Sequence, residues 1–168
     1  YDYVRQEGER KRIESVLLAV IADSQHGRLY LSGDDKQRLA ANTERPTTNL
    51  DVPIADNPRW FSPPQYGMHT FEDLFTNRQL TMLTTLADEI TSIRERVLHD
   101  ALAAGMTEGA SLDAGGEGAQ AYADAIAVYL SLAVSRQTDY SSTICGWNIN
   151  RQGLRNVFAR QAIPVTWD

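Results

Sequence analysis

The period of the apolar positions changes along the chain, and each change marks a different kind of element. Over residues 1–12 aromatic and charged positions alternate before a charged run that closes on Arg10, Lys11 and Arg12, which reads as a solvated lead-in or an edge strand. SVLLAVIA at 15–22 is then apolar and β-branched, and RLYL at 28–31 follows after SQHG. The pair predicts a β-hairpin in which Gly27 supplies a positive φ. Asp34 or Asp35 stands where an N-cap would open a short helix over 36–41.

Between 42 and 67 periodicity is lost. Five of the six prolines fall there, at Pro46, Pro53, Pro58, Pro63 and Pro64, so continuous backbone ladders are not expected. The segment is either an ordered wrapping loop or a flexible link. Trp60, Phe61 and Tyr66 favour wrapping, because each aromatic left in water forfeits roughly 1.5–3 kcal/mol relative to burial. After it a helical period takes over. Thr76 is a natural N-cap, and Leu83, Leu86, Ile90, Ile93 and Val97 recur at steps of three and four on a long helix that ends at Gly105. A polar, Gly-rich connector over 105–118 leads to a second helix over 119–134, where Tyr122, Ile126, Tyr129, Leu130 and Ala133 share a face. Its many alanines permit the close approach that an antiparallel αα-hairpin requires. Residues 145–150 read as loop and 152–160 as a short last helix.

These elements predict an α+β, predominantly helical fold: an N-terminal β-hairpin, a Pro-rich wrapping loop, a long antiparallel helical hairpin and a short C-terminal helix. The predicted organisation is a single excised domain, with hairpin and short helix at 1–41, the Pro-rich loop at 42–70 and the helical part at 71–168. A first residue Tyr1 and an apolar last stretch ending at Asp168 suggest a segment of something longer. At 168 residues the chain has the size of one domain with a real core. No apolar run approaches the roughly 18 residues of a membrane span. The balance of 16 Lys+Arg against 22 Asp+Glu, net −6, argues against a domain that coats nucleic acid by bulk charge. One cysteine, Cys145, permits no internal disulfide, and His26, His69 and His99 lack metal-ligand spacing, so no metal site is expected and the cytoplasm is the expected compartment.

Few residues remain that carry chemistry. SPPQY at 62–66 approaches the polar-Pro-Pro-aromatic sequence with which amino-methyltransferases hold a flipped base, but Gln65 displaces the ring by roughly 3.5 Å. NPRW at 57–60 departs similarly, with Arg59 in place of the second proline. GGEG at 115–118 precedes a helix as phosphate cradles do, yet lacks a lysine and carries Glu117, which favours a flexible connector. Asp88, Glu89 and Glu95 lie among Arg94, Arg96 and His99 and read as a solvated charged face. Cys145 reads as a small buried hydrophobe rather than a nucleophile. The best local candidate is C-terminal: no acidic residue lies between Asp139 and Asp168, and Trp147, Asn148, Arg151, Arg155 and Arg160 combine guanidinium groups, an amide and an aromatic, the side chains that hold phosphates and base edges. Alternatively, these arginines pair with carboxylates of a neighbouring domain. No catalytic or cofactor-binding residue is assigned.

Several blocks together resemble one family. They are PQYGM at 64–68, DLFTNRQL at 73–80, AYADAIAVYL at 121–130, STICGW at 142–147 and RNVFARQAIP at 155–164 with Trp167 and Asp168; the hairpin region is also similar. The family is that of the large bacterial and archaeal adenine-specific DNA methylases that carry a zinc ribbon and begin with the domain of unknown function 1156. In that family the S-adenosylmethionine loop precedes this region and an Asp-Pro-Pro-Tyr catalytic motif follows it. The resemblance thus implies a non-catalytic internal domain of an S-adenosylmethionine-dependent DNA adenine N6-methyltransferase. Its partners would be the rest of the parent methylase and DNA, with no cofactor of its own. The alternative is a protein–protein interaction module in phage defence, which conspicuous apolar surface on the long helix would favour.

Overall fold

A computed structural model of the chain describes residues 1–55 and 61–157. Its elements are α1 (Asp2–Glu9), a hairpin of β1 (Val20–Ser24) and β2 (Gly27–Leu31), α2 (Asp35–Ala41), two short 3₁₀ turns at Pro63–Tyr66 and Phe71–Leu74, the long helices α3 (Asn77–Ala103) and α4 (Ala119–Thr138), and a second hairpin of β3 (Trp147–Asn148) and β4 (Gly153–Leu154). The architecture is α+β, with an N-terminal hairpin and a long helical pair. Two compact units account for it: Tyr1–Thr81 with Asp139–Asp168, and Met82–Thr138.

In the first unit the N-terminal segment departs from expectation. Residues 2–9 are helical, not an edge strand. Two features outweigh the apparent alternation: acid–base pairs at helical spacing, Asp2 with Arg5 and Glu7 with Arg10, and a backbone docking that only glycine permits. Gly8 is buried against the main chain of the Pro63–Tyr66 turn, and a Cβ on it would collide with the Tyr66 carbonyl. Gly67, with φ +79°, faces Gly8 in the same way. Lys11 then locks the helix to this turn, its Nζ donating to the Gly67 carbonyl at 2.5 Å and to the Asp73 carboxylate at 3.0 Å. Arg5 lies over the Tyr66 ring, 5.8 Å from its centroid.

The short helix stands where the sequence puts it, and the hairpin forms with a shifted first strand: β1 takes only 20–22 of the apolar run 15–22, and Val16 and Leu18 lie exposed before it. Gly27 has φ +108° at the turn, and Ile21 pairs with Tyr30. Asp34, not Asp35, caps α2, in a reciprocal box with Gln37. The Pro-rich segment wraps, and it does so with backbone bonds. Leu50 and Val52 accept through their carbonyls from Glu72 and Phe71, and Ile54 donates to His69, so the missing N–H of Pro53 is never needed. Phe61 packs with Ile54, Met68, Phe75 and Cys145 around a core of Leu74, Ile144 and Val157. Trp60 lies outside the described residues.

Both ends of α3 are as read. Thr76 and Gln79 form a capping box, and at the other end Gly105 (φ +88°) and Met106 donate to Leu102 and Ala101 in a Schellman motif. The expected stripe splits in the second unit. Leu83 is buried and Ile90 and Val97 are half-buried, whereas Leu86 and Ile93 stand on the exposed flank. On α4 Ala119, Ala121 and Ala123 are buried, Ile126, Leu130 and Val134 are half-buried, and the expected members Tyr122, Tyr129 and Ala133 are exposed.

The connector 105–118 is compactly folded. The Ala119 and Gln120 amides donate to the carbonyls of Thr107 and Glu108, and Gly118 packs where a Cβ would meet those same carbonyls. Asp124 ties it down, accepting from the Leu112 amide at 2.9 Å and from Arg94 at 2.6 Å. The Leu112 amide, with the Arg94 guanidinium, holds the Asp124 carboxyl below its ordinary value of 3.8.

Two measurements check these anchors. Gly8→Ala would gain roughly 0.5–1 kcal/mol of helix propensity, but the collision with rigid backbone costs about 1–3 kcal/mol and decides the sign, so denaturant unfolding should show a net loss. Because the Asp124 pKa is lowered on folding, its contribution to stability is full above the ordinary carboxylate value and is lost as pH falls through the depressed one. Asp124→Asn should therefore lower the melting temperature at neutral pH and shrink the further loss seen in acid below about pH 4.

Candidate nucleic-acid interface

Among the described residues, Trp147, Asn148, Arg151 and Arg155 sit on a hairpin, and 152–157 do not begin the short helix expected over 152–160, of which 158–160 lie outside the described residues. Gly153 and Leu154 form a strand that pairs with Trp147 and Asn148. A helix starting there would need Gln152 and Gly153 in helical conformation. Instead Gln152 has φ +46°, and Gly153 is a poor helix former free to pair. The turn between the strands is held by one side chain: Asn148 Oδ1 accepts the amides of Asn150 at 3.1 Å and Arg151 at 3.2 Å. The Arg155 amide extends the ladder to the Gly146 carbonyl at 2.7 Å.

Strand alternation then sorts the residues. Trp147 and Leu154 share one face, and Asn148 and Arg155 lie on the other. Trp147 meets Tyr30 of β2 edge-on, with centroids 6.1 Å apart and planes at 89°, a geometry worth about 0.5–1.5 kcal/mol beyond burial. Arg151 and Arg155 are both exposed, and neither has a carboxylate partner among the described residues. Arg160 lies outside the described residues. Thus Trp147, Asn148, Arg151 and Arg155 come together on one small hairpin. Tyr30 joins them from more than a hundred residues away, a contact with no local sequence signal.

This arrangement can do three things chemically. Arginine forks take phosphate oxygens in pairs, an amide not used by its own turn can bond a base edge, and an aromatic pair offers a ring to stack on. Asn148 is restricted in this, because its Oδ1 is occupied and only its NH₂ remains to donate.

The other candidates fall into structural roles. SPPQY at 62–66 is the 3₁₀ turn on which α1 docks. The glycines at 115–118 do not form an open cradle: a Cβ on Gly116 would strike the Ala110 carbonyl, and the first amides of α4 are already bonded to Thr107 and Glu108. That turn therefore does not fit the phosphate or carboxylate of a nucleotide cofactor. Asp88, Glu89 and Glu95 are exposed on α3, while Arg94 turns to Asp124 and His99 to Asp100. Burial pushes the Cys145 thiol up, and Asp139 adds to it; the sulfur donates to the Asp139 carbonyl at 3.6 Å and packs on the core. Such a thiol is a poor nucleophile. Among the described residues no three His, Cys, Asp or Glu side chains cluster as metal ligands, and no helix is long and apolar enough to cross a membrane.

Comparison of the chain with protein-family models, curated proteins and solved structures yields no match.

Asn148→Ala should free the Asn150 and Arg151 amides and cost about 0.5–1.5 kcal/mol of local stability, read as faster hydrogen exchange at those two positions. Asn148→Asp, which keeps the acceptor, should restore the protection.

Proposed function

We propose that this chain is a non-catalytic internal domain of a cytoplasmic, S-adenosylmethionine-dependent, adenine-specific DNA methyltransferase, and that it braces the catalytic core and helps present DNA. In the parent, methyl transfer to adenine N6 would follow extrusion of the base from the stack. The work of this chain is to hold the backbone beside it. The supports are the ordered sequence blocks that resemble that family and, above all, the β3–β4 hairpin with exposed Arg151 and Arg155 beside the Tyr30–Trp147 pair. That hairpin is the observation that carries the reading. It concentrates unpaired positive charge in a chain that is acidic as a whole.

A second reading has its own support. Leu86 and Ile93 on α3, with Val128, Tyr129 and Leu132 on α4, leave the helical unit with exposed apolar residues, as a module for docking a partner protein would.

Replacing Arg151, Arg155 and Arg160 together by glutamine separates the two. On the DNA reading, binding of the chain to a labelled duplex weakens, and the dependence of log K on log salt flattens by about 0.9 for each lost phosphate contact. An unchanged slope contradicts DNA contact by these residues. Calorimetric titration of the chain with S-adenosylmethionine should show only heats of dilution, and micromolar or tighter binding contradicts the non-catalytic assignment.

A further inference from the structure

The surface around the candidate hairpin holds more than charge. Tyr30 packs edge-on with Trp147, which engages at most one face of its ring, and 52% of the residue stays exposed. A ring face is therefore open. Ile21, which pairs with Tyr30 across β1 and β2, and Leu154, which pairs with Trp147 across β3 and β4, are 39% and 50% exposed. Aromatic and apolar surface thus stands beside the stretch that leads from Arg151 to Arg155. Contact with duplex phosphates gives these side chains nothing to do. In a duplex the bases stack on each other and offer edges and backbone, which arginine and amide groups take. A base of a single strand has a free face, and an exposed ring can receive it while the phosphates still go to arginine.

We propose that this site takes single-stranded DNA in preference to duplex, with a base stacked on the open face of Tyr30 and the neighbouring phosphates held by Arg151 and Arg155. The inference rests on the DNA reading above and narrows its substrate. Charge selects the occupant of the apolar surface. No acidic residue lies between Asp139 and Asp168, and Arg151 and Arg155 have no carboxylate partner among the described residues. Asp23, on the Tyr30 face of its hairpin, is held by Arg28 at 3.3 Å. Such a surface complements a polyanion that carries exposed rings. Electrostatics alone would give the opposite preference, because each phosphate contact releases more counterion from a duplex than from a single strand. A preference for the single strand thus isolates the ring.

Fluorescence anisotropy of the full chain with a labelled strand of about 12 nucleotides, set beside the same sequence as a blunt duplex, tests this. The single strand should bind about tenfold tighter, the scale of one stacked base. The preference should grow as salt is raised, because the single strand loses less affinity per phosphate contact. Tyr30→Phe keeps the ring and should keep the preference. Tyr30→Leu keeps an apolar contact for Trp147 without a ring, and should abolish the preference while duplex affinity and its salt slope stay as they were. Equal or tighter binding of the duplex by the unaltered chain, or a preference that survives Tyr30→Leu, would overturn the proposal and leave the DNA reading standing. Loss of duplex binding in Tyr30→Leu would also overturn it, since Tyr30 would then only brace the hairpin. Binding of neither form would remove the DNA reading and this inference with it.

Discussion

The first unit depends on the return of the chain to Leu74 after the helical excursion. The Leu74 carbonyl receives both the Thr143 amide at 2.8 Å and the Thr143 hydroxyl at 2.9 Å, and Leu74 is itself buried against Ile144 and Val157. Segments nearly seventy residues apart are thereby fixed to each other at one peptide group. What lies just beyond, the β3–β4 hairpin, is positioned because the Val157 amide also bonds the Asp139 carbonyl and closes the segment on itself. Without this closure the hairpin would be four paired residues with two exposed apolar side chains, too little to hold a shape in water.

A division of labour between the units follows. Around Leu74, the Pro-rich segment and α1 form a frame whose joints are backbone contacts: Gly8 on the Tyr66 main chain, the Gly67 carbonyl on Lys11, and the strand-like bonds from Leu50, Val52 and Ile54. Such joints are specific in shape and carry little reactive chemistry. In keeping with that, Asp73 remains a low-pKa carboxylate: burial would raise it, but the Thr70 amide and Lys11 outweigh burial and hold it charged as a tie between α1 and the second 3₁₀ turn. Cys145, which is the one thiol, is pushed the other way and sits in the core. Among the described residues, Arg151 and Arg155 of the β3–β4 hairpin are left at the surface without a carboxylate partner.

Local chemistry was legible in the sequence, and distant contacts were not. The Thr76 cap, Gly105 and Gly27 are determined within a few residues, by capping or by a positive φ, and stand where the pattern puts them, and the cap of α2 falls to Asp34, one of the two positions the pattern offered. The helical state of 2–9 was hidden because its cause, the glycine docking on Tyr66, lies some sixty residues away. The same holds for the candidate site. Guanidinium and amide content pointed to 147–160, but Tyr30 could not be paired with Trp147 from spacing, and the turn that Asn148 organises was masked by a helical reading of 152–160. Periodicity also did not pick out the covered residues of α4, because buried Ala119, Ala121 and Ala123 signal burial more weakly than the exposed Tyr122 and Tyr129.

The central proposal is that this domain meets DNA through the β3–β4 hairpin. Amide chemical-shift mapping of the labelled chain on addition of a short duplex tests it most directly. The account predicts perturbations concentrated at 146–155 and at Tyr30, fading as salt is raised. Perturbations confined to α4, or none at duplex concentrations well into the micromolar range, would contradict it.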